Sequence, residues 1–139
     1  EPHKSIEDSK EILHTVFMGN EGVFAMILKE NNSLVGSIGI IPDPKRENPR
    51  TRMLGYWLKE CHWGKGIASE AAHAVLDYGF NVLGLHLISA NCYPHNTRSR
   101  HLLERHGFVY EGILHEAETT YDGHVYDHLC FYLKKEMLR

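Results

Sequence analysis

The sequence predicts an α/β (α+β) fold built on one mixed, mostly antiparallel sheet. Three observations carry that expectation. Residues 23–29 and 34–41 are two apolar stretches joined by Asn31-Asn32-Ser33, the pattern of a hairpin. Residues 52–92 read as strand, glycine-rich turn, long helix and strand, the pattern of a right-handed crossover between parallel strands. Residues 125–134 alternate Tyr126, His128, Cys130 and Tyr132 with Val125, Leu129, Phe131 and Leu133, the period of a half-buried strand.

Taken in order, Ser5 is placed to cap a helix whose first turn carries Glu7 and Asp8. Ile12, Leu13, Val16 and Phe17 would be its apolar face, and Gly19-Asn20 its end. The hairpin follows, and Gly36 and Gly39 thin one face of its second strand enough for another backbone to approach closely. Residues 42–49 are polar, charged and proline-containing, which predicts a loop. A third strand, residues 52–59, runs into the turn His62-Trp63-Gly64-Lys65-Gly66.

The helix after that turn is predicted from Gly64 or Lys65 to about Val82. Ser69, His73, Asp77 and Asn81 recur every four residues as one wet stripe, and apolar residues cover most of the rest. So narrow a polar stripe predicts a helix lying against a sheet. Residues 86–92 are the next strand. Asn96 is a good cap for a short helix over residues 97–106, with Leu102 and Leu103 facing inward and Gly107 closing it. Residues 108–116 and 125–134 are the last two strands, joined by a loop that includes Tyr121-Asp122-Gly123.

The 139 residues suit one domain. A net charge of −3 provides no overall basic field for nucleic acid. No apolar run of membrane-spanning length and no secretory leader pattern occurs, so no membrane partner is expected. Three widely spaced cysteines, Cys61, Cys92 and Cys130, suit reduced thiols in a cytoplasmic protein. The eleven histidines show no zinc-ligand spacing, so no metal site is expected.

The turn is where chemistry concentrates. A strand, two glycines and a helix N-terminus aim backbone N–H groups at one point, which attracts phosphate. A Walker loop requires Gly-Lys followed by Ser or Thr, and Ile67 follows Gly66. A dinucleotide fingerprint requires a third glycine where Ser69 stands. A tight turn without a ligand is the remaining alternative.

Two blocks in order decide between these. Trp63-Gly64-Lys65-Gly66-Ile67-Ala68 resembles the acetyl-CoA motif (Gln/Arg)-x-x-Gly-x-(Gly/Ala) of the GNAT superfamily of N-acetyltransferases, with Trp63 departing from its first position. Asn96-Thr97-Arg98-Ser99, Gly107-Phe108 and Glu111-Gly112 are similar to the second block of its RimJ/RimL branch. The resemblance runs from about Glu1 to Leu138. It implies the GNAT fold, a sheet splayed at the central parallel pair with helices on both faces. It also implies that a first strand and the start of the first helical region would precede Pro2-His3-Lys4-Ser5.

For function, the resemblance implies transfer of acetyl from acetyl-CoA to a primary amine, a small molecule or a protein N-terminus, directly within a ternary complex. A non-catalytic acyl-CoA sensor is the alternative, because Leu103 stands where many GNAT enzymes carry a tyrosine acid. The implied cofactor-binding set is Trp57, Leu58, Lys59, Trp63, Gly64, Lys65, Gly66, Ile67, Ala68, Ser69, Asn96 and Ser99. In it the N–H near Leu58 polarises the thioester carbonyl and Ser99 substitutes for the missing tyrosine. Glu60, Glu111, His115 and Glu116 are the candidate bases, and Arg98 or Arg100 the candidate phosphate cations. A monomer or a homodimer is expected.

Overall fold

The computed structural model describes residues 13–17 and 22–138, the side chains from residue 22 onward. Seven strands form one sheet in the order β1-β2-β3-β4-β5-β7-β6. They are β1 Leu13–Phe17, β2 Val23–Leu28, β3 Leu34–Ile41, β4 Thr51–Leu58, β5 Leu87–Cys92, β6 Val109–Thr119 and β7 Val125–Lys134. Every neighbouring pair is antiparallel except β4 and β5, which run parallel through the crossover helix α1, Ile67–Asn81. A second helix, α2, covers Thr97–Arg105.

One expected element is corrected. Residues 13–17, assigned to a helix from sequence, form the edge strand β1, with Leu13 opposite Leu28 and Phe17 opposite Phe24. Apolar spacing over so short a run fits either state, and Thr15 and Val16 are β-branched. The open edge of β2 decides the matter, since its main-chain groups need partners. The rest of the expected helix and its Gly19-Asn20 end lie outside the described residues.

The hairpin forms as expected. Asn31 Oδ1 accepts from the Ser33 N–H and hydroxyl, and Asn32 takes a φ of 58°. Gly36 meets β4 so closely that a Cβ there would lie 2.2 Å from the Trp57 carbonyl oxygen. Any side chain at Gly36 would therefore push β3 and β4 apart.

Helix α1 lies on the sheet through Ala71, Ala72, Val75, Leu76 and Phe80, all fully buried. Burying Leu76 and Phe80 contributes roughly 1.5–3 kcal/mol each. The Tyr78 ring meets Phe24 of β2 edge-on at 5.4 Å. His73 and Asn81 are exposed and Asp77 half-buried, so the wet stripe is real. Ser69 turns toward α2, its Oγ 3.0 Å from Nε2 of His106, the residue that ends α2. The two helices thus meet over one face of the sheet. The expected cover of the other face falls on residues outside those described. No helix among the described residues is long and apolar enough to cross a membrane.

The loop over residues 42–49 is pinned by one buried carboxylate. Asp43 accepts from the Ser89 hydroxyl of β5 at 2.5 Å and the Lys45 N–H at 2.8 Å, and Arg46 Nε is 3.3 Å away. Arg46 also pairs with Glu111 of β6. Burial pushes the Asp43 carboxyl up, but the Ser89 and Lys45 hydrogen bonds outweigh it and leave it below its ordinary value. Its contribution to stability is therefore present above the ordinary carboxylate value and lost as pH falls through the lower folded value. Asp43→Ala is expected to lower stability by about 2–3 kcal/mol, because the Ser89 hydroxyl and the Lys45 N–H lose a charged acceptor. Urea midpoints at neutral pH and in the acid limb should show the variant less stable and less acid-sensitive than the wild type.

Candidate active site

The site begins with a gap in the sheet. Strands β4 and β5 pair only where residues 51–54 face residues 87–90. Beyond that, β4 continues through Gly55, Tyr56, Trp57 and Leu58 with no strand partner on that side among the described residues. The Lys59 N–H donates to the Val35 carbonyl at 2.9 Å, and the register sets Trp57 opposite Ser37 and Gly55 opposite Gly39. Alternate residues of an antiparallel strand turn their main-chain groups to opposite edges. Gly55, Trp57 and Lys59 therefore bond toward β3, and the N–H groups of Tyr56 and Leu58 point into the gap. The Leu58 carbonyl is held by the Trp63 indole N–H at 2.9 Å.

A cleft of about 630 Å³ fills this gap. Trp57, Leu58, Trp63, Gly64, Gly66, Ile67, Ala68, Ser69, Asn96 and Ser99 all line it, whereas Lys59 and Lys65 do not. At one end is the glycine turn. Gly64 and Gly66 both have φ of +78°, and Gly66 caps α1 with no side chain bonded to the helix N-terminus. The first-turn amides have no side-chain cap among the described residues. A Cβ on either glycine would meet no atom of the described residues within 4 Å, so the space in front of them is open. Burial holds His106 below its ordinary pKa, with the charges of His73 and Arg105 adding to the effect, so it stands neutral against Ser69 at neutral pH.

Polar side chains also line the cleft. Asn96 spends its side-chain oxygen on the Ser99 N–H at 3.0 Å, the expected cap. Ser99 is buried, and its Oγ accepts from the Tyr56 hydroxyl at 3.3 Å. Leu103 also lines the cleft. Across from them Glu118 accepts from the Tyr93 hydroxyl and lies against His128 Nε2, each at 2.9 Å. The His128 contact, then the Tyr93 bond, hold the Glu118 carboxyl below its ordinary range. Tyr93 is pushed up by its bond to Glu118 and stays a phenol.

The chain matches, over residues 1–109, a family model described as an acetyltransferase (GNAT) domain. It belongs to the GNAT family. The fold is that of a GNAT acyltransferase. An uncharacterized N-acetyltransferase, p20 of Bacillus licheniformis, is 34% identical over 138 residues, covering 96% of this chain and 76% of its own. The ribosomal-protein-serine acetyltransferase of Escherichia coli K12 is 32% identical, covering 94% and 72%. A solved structure of Mycobacterium smegmatis RimJ in complex with CoA-disulfide superposes with a TM-score of 0.70 at 30% identity. It covers 83% of this chain, which spans about half (54%) of RimJ.

Within this GNAT site the sequence reading missed Tyr56, Tyr93, Glu118 and His128. The four candidate bases lie elsewhere: Glu60, Glu111, His115 and Glu116 do not line the cleft. Glu111 pairs with Arg46, and the His115 ring and Glu116 N–H bond to Asp127. That Asp127 contact marks why Glu118 was missed. The strand runs on past Glu116 through a bulge, where Glu116 has φ of 49° and the register with β7 slips. Leu114 faces His128, but Glu118 faces Tyr126, so the extra residues bring Glu118 beside His128. The usable signal was the alternation of Glu116 and Glu118 along one strand.

Proposed function

We propose that the chain is an acetyl-CoA-dependent N-acetyltransferase that transfers acetyl directly to a primary amine in a ternary complex. One observation carries the reading. A single cleft is lined by the open amide cradle at Gly64 and Gly66, by Leu58 with its inward-pointing N–H, and by Glu118. Acetyl-CoA supplies the activated acyl group, and the chain's residues do the rest. The cradle amides of residues 64–69 bind a diphosphate, each charge-assisted bond contributing roughly 1.5–3 kcal/mol. The Leu58 N–H donates to the thioester carbonyl oxygen and stabilises charge developing there.

Glu118, with His128 beside it, takes the proton released when an ammonium acceptor becomes the attacking amine. Ser99 gives its hydroxyl proton to the departing thiolate and is resupplied by Tyr56, and the second proton of the attacking nitrogen, shed as the tetrahedral intermediate collapses to the amide, restores Tyr56. A protein N-terminal amine, with a pKa near ~7.7–8.0, needs the least help from Glu118, whereas a lysine near ~10.4 needs more. The acceptor favoured here is therefore an N-terminal or similarly weakly basic primary amine. The name of the Escherichia coli relative, a ribosomal-protein-serine acetyltransferase, supports a protein as the acceptor. Three free cysteines support a cytoplasmic setting, where the enzyme would act as a monomer or homodimer.

Leu103, at the position of the common tyrosine acid, favours the second reading, a non-catalytic acyl-CoA sensor. Thiol release from acetyl-CoA in the presence of short peptides and amines separates the two. Acceptor-dependent release is expected; binding without it would leave the sensor. Because a thiol of pKa about 8–9 leaves readily, Ser99→Ala is expected to lower kcat only about tenfold and Tyr56→Phe about threefold. An unchanged kcat in Ser99→Ala would remove Ser99 from the chemistry.

A further inference from the structure

Trp63 and Arg98 form a pair at the outer end of the cleft that the steps above leave without a role. The Trp63 indole is anchored by its N–H to the Leu58 carbonyl at 2.9 Å, yet 40% of the residue is exposed. The Arg98 guanidinium covers the ring, 3.3 Å from its centroid. Both residues line the cleft beside Gly64 and Gly66.

Among the described residues no carboxylate neutralises the charge of Arg98: none lies within salt-bridge distance, while Arg100 pairs with Glu104 and Arg46 with Asp43 and Glu111. Stacking on an indole fixes a guanidinium's plane and leaves its edge N–H groups free to donate. Those donors form a fork that matches two phosphate oxygens.

We infer that Arg98, held by Trp63, is the side-chain half of a diphosphate site whose other half is the amide cradle of α1. The inference rests on the acetyl-CoA reading and assigns the anion a second, cationic wall contributed by α2. An acceptor ammonium is a poor occupant beside Arg98, because the guanidinium repels it. The indole keeps the guanidinium in its bound orientation before the ligand arrives, so little rotamer freedom is lost on binding. Trp63 thus acts as a positioning residue through Arg98.

Calorimetric titration of the whole chain with CoA and with dephospho-CoA tests this. Arg98→Ala is expected to weaken both about 30-fold, the loss of one charge-assisted contact. Arg98→Lys should recover only part, since a point charge replaces the fork. Trp63→Leu should cost nearly as much, and the double variant little more than either alone. In turnover, the preference of Arg98→Ala for acetyl-CoA over S-acetylpantetheine should shrink by the same factor. Unchanged CoA affinity in Arg98→Ala overturns the inference. So does a loss confined to CoA, which would put the guanidinium on the 3′-phosphate. Wild-type chain that bound no CoA would instead overturn the acetyl-CoA reading itself.

Discussion

Glu118→Gln is expected to lower kcat/KM for amine acetylation by about a hundredfold, the lower end of what a positioned proton acceptor contributes. Glutamine keeps the shape and still accepts a hydrogen bond from Tyr93, but it cannot take a proton. The pH dependence discriminates further. The His128 and Tyr93 contacts hold the Glu118 carboxyl below its ordinary range, so the wild-type group stays ionised through neutral pH. Its own protonation falls well on the acid side. The variant's deficit should therefore be largest where the acceptor is an ammonium, and shrink as pH passes the acceptor's pKa, near ~7.7–8.0 for an N-terminal amine. A pH-independent deficit would mean that Glu118 only shapes the pocket. Tm should change little, since the Glu118 side chain is 40% exposed and its pairing is made at the surface.

Gly66→Ala is expected to weaken CoA binding by about a hundredfold, as the cradle's charge-assisted contacts are pushed away. Two causes combine. A φ of +78° disfavours any side chain, by roughly 1–2 kcal/mol. The new methyl would also project into the space where the chain itself places nothing within 4 Å. Gly84 separates these causes. It has φ of +71°, equally open surroundings and no place in the cleft. Gly84→Ala should show a comparable fall in unfolding midpoint with CoA affinity intact. Equal affinities in the two variants would mean that the turn is only a backbone device.

The legible parts of the molecule were those set by short-range chemistry. The glycines before α1 permit the left-handed turn at Gly66, and the four-residue polar stripe announces a helix on a sheet. The Asn96 side chain caps α2 through contacts within three residues of itself. The Asn31–Ser33 turn is equally local. Residues 13–17 were misread because five residues without a clear period take their state from the neighbouring strand, here β2.

By itself the sequence determined the order of elements from β2 onward, the parallel crossover around α1 and the phosphate-attracting turn, because each depends on residues a few positions apart. Only the tertiary structure decided where β4 and β5 part, and that the Leu58 N–H rather than those of Trp57 or Lys59 faces the gap. The same holds for the setting of Glu118 against His128 and Tyr93, of Tyr56 against Ser99, and of Arg98 over Trp63. Hydrogen-bond parity depends on which strand lies alongside. A bulge depends on what the opposite strand holds, and a stacked pair on how two helices end. None of these is written within a single stretch of chain, since each joins residues that are neighbours only once the sheet has formed.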